Sequence, residues 1–457
     1  MDKYARLRYQ PCLPLGRDGR KVTASPEHAA LSRKAAGEGM VLLKNIGVAL
    51  PLKRGEKVAL FGKATIEYIK GGGGSGDVYT AYVRNIYDGF AEKEAEGKVS
   101  VYMPTVEFYK EYVKEESKKI PTRAQIEKIW DKVNAMDFCK EKDDIIYDTF
   151  ASMHVREAAV PDELINTAAE NADVAVITLS RFSAEGVDRK PIDSDYYLSF
   201  EEKSLIDRAS KAFKKTIVVL NSGAVVDCEH FADNDKVQGI LFGWQGGLEG
   251  GAAVADILCG DVCPSGKLAD TIPVSYYSYQ NAEEFLTGFE HLDYYDDIYV
   301  GYRYFETVPG AAERVRYPFG FGLSYTDFEL GGVLCGETDG KIVVSVNVKN
   351  IGSVPGKETV QLYYSAPQGV LGKPAKELAA FAKTHLLNPG ESETLALSFD
   401  IADMASFDDL GKVKKAAYVL EPGKYSFYLG NSVRSAEKID YEYTVEDDVV
   451  VRQASGL

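Results

Sequence analysis

The chain has 457 residues, of which 45% are hydrophobic and 27% charged. The length predicts two or three domains, and the proportions are those of an ordinary globular protein with enough apolar material for at least one large core. A formal net charge of −16 argues against nucleic acid and anionic membrane surfaces as partners and favours a neutral or cationic ligand. No apolar run approaches the roughly 18–20 residues that span a bilayer, and the opening MDKYARLRYQPC lacks the apolar core of a signal peptide. Of the six cysteines, Cys259 and Cys263 are spaced as zinc ligands could be, but no second Cys or His pair lies near them. The cysteines are read as small buried apolar residues, with no metal or cofactor expected. A chain of this size does not need disulfides, and it contains no N-x-S/T site, so a cytoplasmic location is expected.

In chain order, residues 26–45 (PEHAALSRKAAGEGMVLLKN) predict a helix with Ser25 as cap and Pro26 in the first turn. KVALFG (57–62) and KVSVYM (98–103) predict strands. Residues 104–160 carry helical periodicity and a heavy charge load, which predicts a helical excursion on the surface. Next come a helix over 161–172, a strand over 173–180 and a helix over 199–213 that opens on a Ser199/Glu202 capping box. Strands over 215–221 and 237–244 and a helix over 248–260 complete the alternation. Strands apolar on both faces, alternating with helices, mean a mostly parallel sheet covered by helices, an α/β fold. The period changes after residue 325. Segments 341–350, 358–367, 376–386, 392–401 and 423–432 alternate polar and apolar residues between turn signals, predicting an immunoglobulin-like β-sandwich. YPFGFGLSYTDF (317–328) between the two regions is an aromatic-rich linker.

Two stretches invite a chemical reading. GGGGSG (71–76) could cradle a phosphate, but Gly76 is followed by Asp77 where a P-loop needs Lys, and the glycines do not follow their strand at once. A flexible loop at a helix start is favoured. A loop packed closely against a ligand or neighbouring domain, placing Gly73, Gly74 and Ser75 near substrate, is the intermediate reading. In VAVITLSRFSAEGVDRK (174–190), Glu185 lies shortly past the carboxyl end of a strand, where open α/β sheets bind ligands. Ser183, Ala184 and Gly186 keep that loop thin, and Arg181, Asp188 and Arg189 can anchor it by ion pairs. The plain alternative for Glu185 is a solvated surface carboxylate. A general acid needs its pKa raised from about 4.3 toward about 6–7, and burial under a partner surface would do that. Retaining glycoside cleavage needs a second carboxylate about 5–5.5 Å away. Asp193 and Asp195 lack the strand-end placement. No G-x-S-x-G elbow is present, and His291 and His385 read as structural or exposed.

Several segments together resemble glycoside hydrolase family 3, the β-glucosidase and β-xylosidase family: GMVLLKNIGVALPL (39–52), GGGGSGDV (71–78), SRFSAEGVDR (180–189), VVLNSGAVVD (218–227), residues 240–273, VGYRYFE (300–306) and YPFGFGLSYTDF (317–328). Residues 342–445 resemble the fibronectin III-like domain that ends many members. The resemblance implies that Glu185 is the general acid/base and that Asp188 and Arg189 order its loop. It also implies that the substrate is a β-linked oligosaccharide or glycoside, and that the nucleophile is an Asp on a (β/α)₈ barrel not found in this chain. The expected division is an extension (1–25), the family's α/β sandwich domain (26–300), the linker (301–330), the fibronectin III-like sandwich (331–446) and a tail toward the barrel (447–457). The expected function is the acid/base part of a retaining β-glycosidase, inactive alone. The alternative is a non-catalytic scaffold or carbohydrate-binding subunit. The resemblance leaves open whether copies of the chain assemble into a homo-oligomer.

Overall fold

The structure is a computed structural model that describes residues 24–74, 78, 80–137, 139–183, 188–285, 291 and 293–454. Helix α1 (Pro26–Gly39) opens with the Ser25 hydroxyl accepting from the His28 amide, and it ends six residues before the predicted end. Strand β1 (Val41–Asn45) follows at once. Met40, Val41, Leu42 and Leu43 are all buried. A short apolar run buried on both faces cannot be assigned to helix or strand by periodicity, and here sheet pairing decides.

Strand β2 (Lys57–Phe61), helix α2 (Ile86–Ala95) and the short strand β3 (Ser100–Val101) lead into the excursion. There α3 (Met103–Glu116), α4 (Arg123–Asn134) and α5 (Lys140–Ala151) supply the expected surface helices. Helix α6 (Asp162–Asn171) feeds β4 (Val174–Arg181), and α7 (Phe200–Ala212) feeds β5 (Lys215–Ser222). A single turn, α8 (Glu229–Ala232), precedes β6 (Gly239–Phe242), and α9 (Gly250–Leu258) closes the series. The sheet order is β1-β6-β5-β4-β2-β3, parallel except for β1 against β6. All eight residues of β4 are buried. On one face Phe61, Ile177, Leu179 and Val218 pack with Tyr109, Leu205 and Ile206. On the other, Leu60, Val176, Val219 and Leu241 pack with Phe90, Val254 and Ile257. Each such side chain contributes about 1.5–3 kcal/mol on burial, so the helix-covered sheet is the main source of stability for this half of the molecule.

The connecting region holds β7 (Ile272–Pro273), helix α10 (Tyr302–Thr307) and β8 (Val315–Tyr317), with β7 paired to β8. The β-sandwich then runs through β9 (Phe328–Thr338), β10 (Lys341–Asn350), β11 (Thr359–Ser365), β12 (Glu377–Lys383), β13 (Ser392–Asp400), β14 (Ser406–Asp408), β15 (Ala417–Leu420), β16 (Gly423–Gly430), β17 (Glu437–Val445) and β18 (Val449–Gln453). Sheets β13-β10-β9 and β12-β11-β16-β17 enclose a core of Val344, Val346, Leu362, Leu397, Tyr425 and Phe427. A third sheet, β14-β15-β18, carries the pairing past residue 446. The molecule is therefore an α/β domain followed by a β-sandwich, as the two hydrophobic periods predicted.

Candidate active site

Strand β4 delivers Arg181 to the carboxyl edge of the sheet, and the chain turns there into the segment that carries Glu185. Glu185 and Ser75 lie outside the described residues, so the site is defined by the two stems around 184–187 and by the loops that meet them. Arg181 is 5% exposed, and every N–H of its guanidinium is taken. Two nitrogens grip Glu202 at 2.6 and 2.7 Å, and Nε donates to the Asp195 carbonyl at 2.7 Å. Burial opposes ionisation of Glu202, but Arg181 and the Ser199 amide overcome it and hold the carboxyl below its ordinary range. Glu202 thus does two jobs, closing the capping box of α7 and fixing the end of β4.

The second stem is tied to the same centre. Arg189 pairs with the Asp195 carboxylate and donates to the Asp195 carbonyl at 2.6 Å and to Ser222 Oγ at 3.3 Å. The Lys190 amide and the Tyr147 hydroxyl donate to Asp195 Oδ2 at 2.7 and 2.8 Å. Burial lowers the Arg189 pKa, and Asp195 opposes that shift. Asp188, expected to anchor the loop, makes no ion pair or hydrogen bond with another described residue, although it lines the cavities on both sides. Asp195, which the sequence reading weighed only as a second catalytic carboxylate, anchors the described part of this stem.

Ser183 is where the glycine run meets the loop. The Gly73 amide donates to the Ser183 carbonyl at 2.8 Å, and a Cβ on Gly72 would come within 2.8 Å of that oxygen. Gln245, past the end of β6, donates to Ser183 Oγ at 3.3 Å. Gly74 adopts φ +75°. The glycines do not precede a helix directly, since α2 begins at Ile86. Close approach to the Ser183 backbone explains Gly72 and Gly73 better than a helix start does. Loops from β2, β4, β5 and β6 therefore converge at one edge of the sheet, as ligand-binding edges of open α/β sheets do.

Between the stems and the helical excursion lies a cavity of about 220 Å³, lined by Lys63, Glu157, Ser180, Arg181 and His154 among others. Burial lowers the Lys63 pKa and raises that of Glu157. Beyond Asp188 and Arg189 a wider depression of about 1080 Å³ is walled by Tyr196, Tyr276, Tyr279, Tyr304 and Phe305. Among the described residues no cluster of three potential metal ligands occurs, and no helix is long and apolar enough to cross a membrane.

Residues 40–325 match the glycosyl hydrolase family 3 C-terminal domain, and residues 358–433 match the fibronectin type III-like domain. β-Glucosidase A of Butyrivibrio fibrisolvens is 44% identical over 100% of this chain and 56% of its own length. A β-glucosidase structure from Paenibacillus barengoltzii superposes with TM-score 0.83 at 37% identity, over 95% of this chain and 45% of that one. β-Glucosidase 3B from Thermotoga neapolitana, solved with glucose, superposes with TM-score 0.78 at 36% identity, over 93% of this chain and 55% of that one. The chain spans about half the length of the relatives it matches. With a family match over most of its length and an ordered α/β edge of the expected form, the chain belongs to glycosyl hydrolase family 3, carrying the family's C-terminal domain and a fibronectin III-like domain.

Proposed function

We propose that this chain supplies the proton-donating half of a retaining β-glycosidase acting on β-glucosides. Glu185 protonates the glycosidic oxygen as it leaves. An Asp on a (β/α)₈ barrel outside this chain attacks the anomeric carbon, and Glu185 then deprotonates the water that releases the sugar. The observation that carries this reading is the rigid seating of both loop stems. Arg181 and Arg189, through Glu202 and Asp195, hold the two stems at the sheet edge, where a covering surface could close over the residue they carry. Such a surface would desolvate Glu185 and raise its pKa toward the range a general acid needs. The names of the relatives, β-glucosidases, support the substrate class.

The test combines the chain with a barrel polypeptide from the same family and follows 4-nitrophenyl β-glucoside hydrolysis. The chain alone is expected to be inactive, and the mixture active. Glu185→Gln in the mixture is expected to lower kcat/KM by about 10²–10⁴-fold with sugar binding nearly intact. Turnover by the chain alone would refute the split site. An undiminished rate in Glu185→Gln would leave the scaffold reading in its place.

A further inference from the structure

We propose that the α4–α5 hairpin of the helical excursion is a positioning element for the Glu185 loop, with α5 and the turn after it gripping both stems at once. This rests on the reading of Glu185 given above.

On the first stem, Phe182 stacks against Phe150 with ring centroids 6.1 Å apart and lies 4.0 Å from the His154 ring. On the second, Lys190 Nζ sits 3.0 Å from Asp143 and 2.8 Å from Asp144, over the Tyr147 ring at 4.5 Å. Tyr147 also reaches the hub, its hydroxyl donating to Asp195 at 2.8 Å. Thus one helical face, with residues at i, i+3 or i+4, and i+7, meets the chain just before 184–187 and just after it.

What α4 and α5 leave undone is as informative. Neither core cluster on the faces of the sheet includes a residue of either helix. Only Thr149 of α5 is fully buried. The two helices lean on each other, Trp130 against Phe150 at 5.7 Å. A hairpin that adds nothing to the sheet's core, yet commits Asp143, Asp144, Tyr147 and Phe150 to the two stems of one loop, acts on that loop more than on the fold. The half-buried Lys190–Asp143 pair, the more exposed Lys190–Asp144 pair and an aromatic pair are each worth a modest amount, but together they restrain both ends of a short span. In a site whose chemistry depends on a proton donor held to a fraction of an ångström, that restraint acts on rate.

The test uses variants on the helix side only, so that the loop sequence is untouched: Asp143→Asn with Asp144→Asn, Tyr147→Phe and Phe150→Ala. In the full chain, amide hydrogen exchange across residues 181–195 is expected to speed up by about tenfold or more while β4 and β5 stay protected. Unchanged exchange at 181–195 would overturn the proposal. In the chain combined with its barrel, kcat/KM for phenyl β-glucoside, whose poor leaving group needs acid assistance, is expected to fall about tenfold. That for 2,4-dinitrophenyl β-glucoside, which leaves without it, is expected to change by less than about twofold. The variants are expected to add nothing in a Glu185→Gln background. Equal losses on both substrates, or an undiminished further loss beside Glu185→Gln, would also overturn it. If Glu185→Gln itself lowers both substrates equally, the acid role of Glu185 fails, and the exchange measurement alone decides whether α5 restrains the loop.

Discussion

At the scale of single residues, the site depends on two buried acids serving two arginines. The Arg181–Glu202 pair is nearly inaccessible, with side chains 5% and 3% exposed, and its bidentate geometry uses the guanidinium fork that lysine lacks. Removing one partner strands the other, so Glu202→Gln is expected to destabilise the chain by about 3–5 kcal/mol. The pH dependence follows from the direction of the shift. Glu202 is held below its ordinary pKa in the folded chain, so its stabilisation is full above the unfolded value near 4.3 and is lost as pH falls through the folded value. Urea unfolding from pH 6 down to about pH 3 should show a falling unfolding free energy whose slope is smaller in Glu202→Gln. Identical slopes would show that other carboxylates carry the acid sensitivity. Glu202 was visible in the sequence as half of a capping box. Its second partner was not, because the contact spans 21 residues and depends on where β4 ends.

Among the elements, the turns that leave the strands set how closely loops approach. Gly62, at the end of β2, has φ +92°, and a Cβ there would lie 2.1 Å from the Thr178 carbonyl of β4. Both the backbone conformation and the space exclude a side chain. Gly62→Ala is expected to cost at least about 2–3 kcal/mol in denaturant unfolding, a surface-type loss below about 0.5 kcal/mol being the contrary result. The same principle works at the crossing of α2 with α9, where Gly89 faces the Gly251 carbonyl and Ala252 at distances a Cβ could not tolerate. These glycines were legible as punctuation in the sequence. Whether each marked a turn, a helix crossing or a loop beside a ligand was not, because the neighbour that excludes the side chain lies far along the chain.

For the whole molecule, the sandwich is fastened to the α/β domain by buried polar contacts and by the aromatic connector. Lys267 pairs with Glu358 at 2.9 Å, with side chains 10% and 7% exposed. Lys383 donates to the Glu38 carbonyl at 3.0 Å and to Ser265 at 2.9 Å. Phe319 of the connector stacks on Tyr302 at 4.3 Å, and Tyr302 in turn meets Tyr363 of the sandwich at 6.4 Å. Lys267→Met, which leaves Glu358 uncompensated, is expected to lower the unfolding free energy by about 3 kcal/mol. Adding Glu358→Gln, which removes the stranded charge while still accepting from the Thr359 amide or Asn431, should recover part of that loss. A double variant as unstable as the single one would place the energy elsewhere in the interface.

The sequence by itself determined the class of each half, because a helix or strand of a given period must bury its apolar face against something, and the two periods changed near residue 325. It also singled out the loop after β4 as the candidate place for chemistry, because open α/β sheets bind ligands at their strand ends. Only the tertiary structure decided that MVLLKN leaves the helix and pairs with β6, since a short run buried on both faces carries no period to read. Only it decided that Asp195 binds the second stem, and that α5 turns an acidic and aromatic face to both stems. These are contacts between distant segments, fixed by the packing of the whole sheet and its helices and not by local spacing.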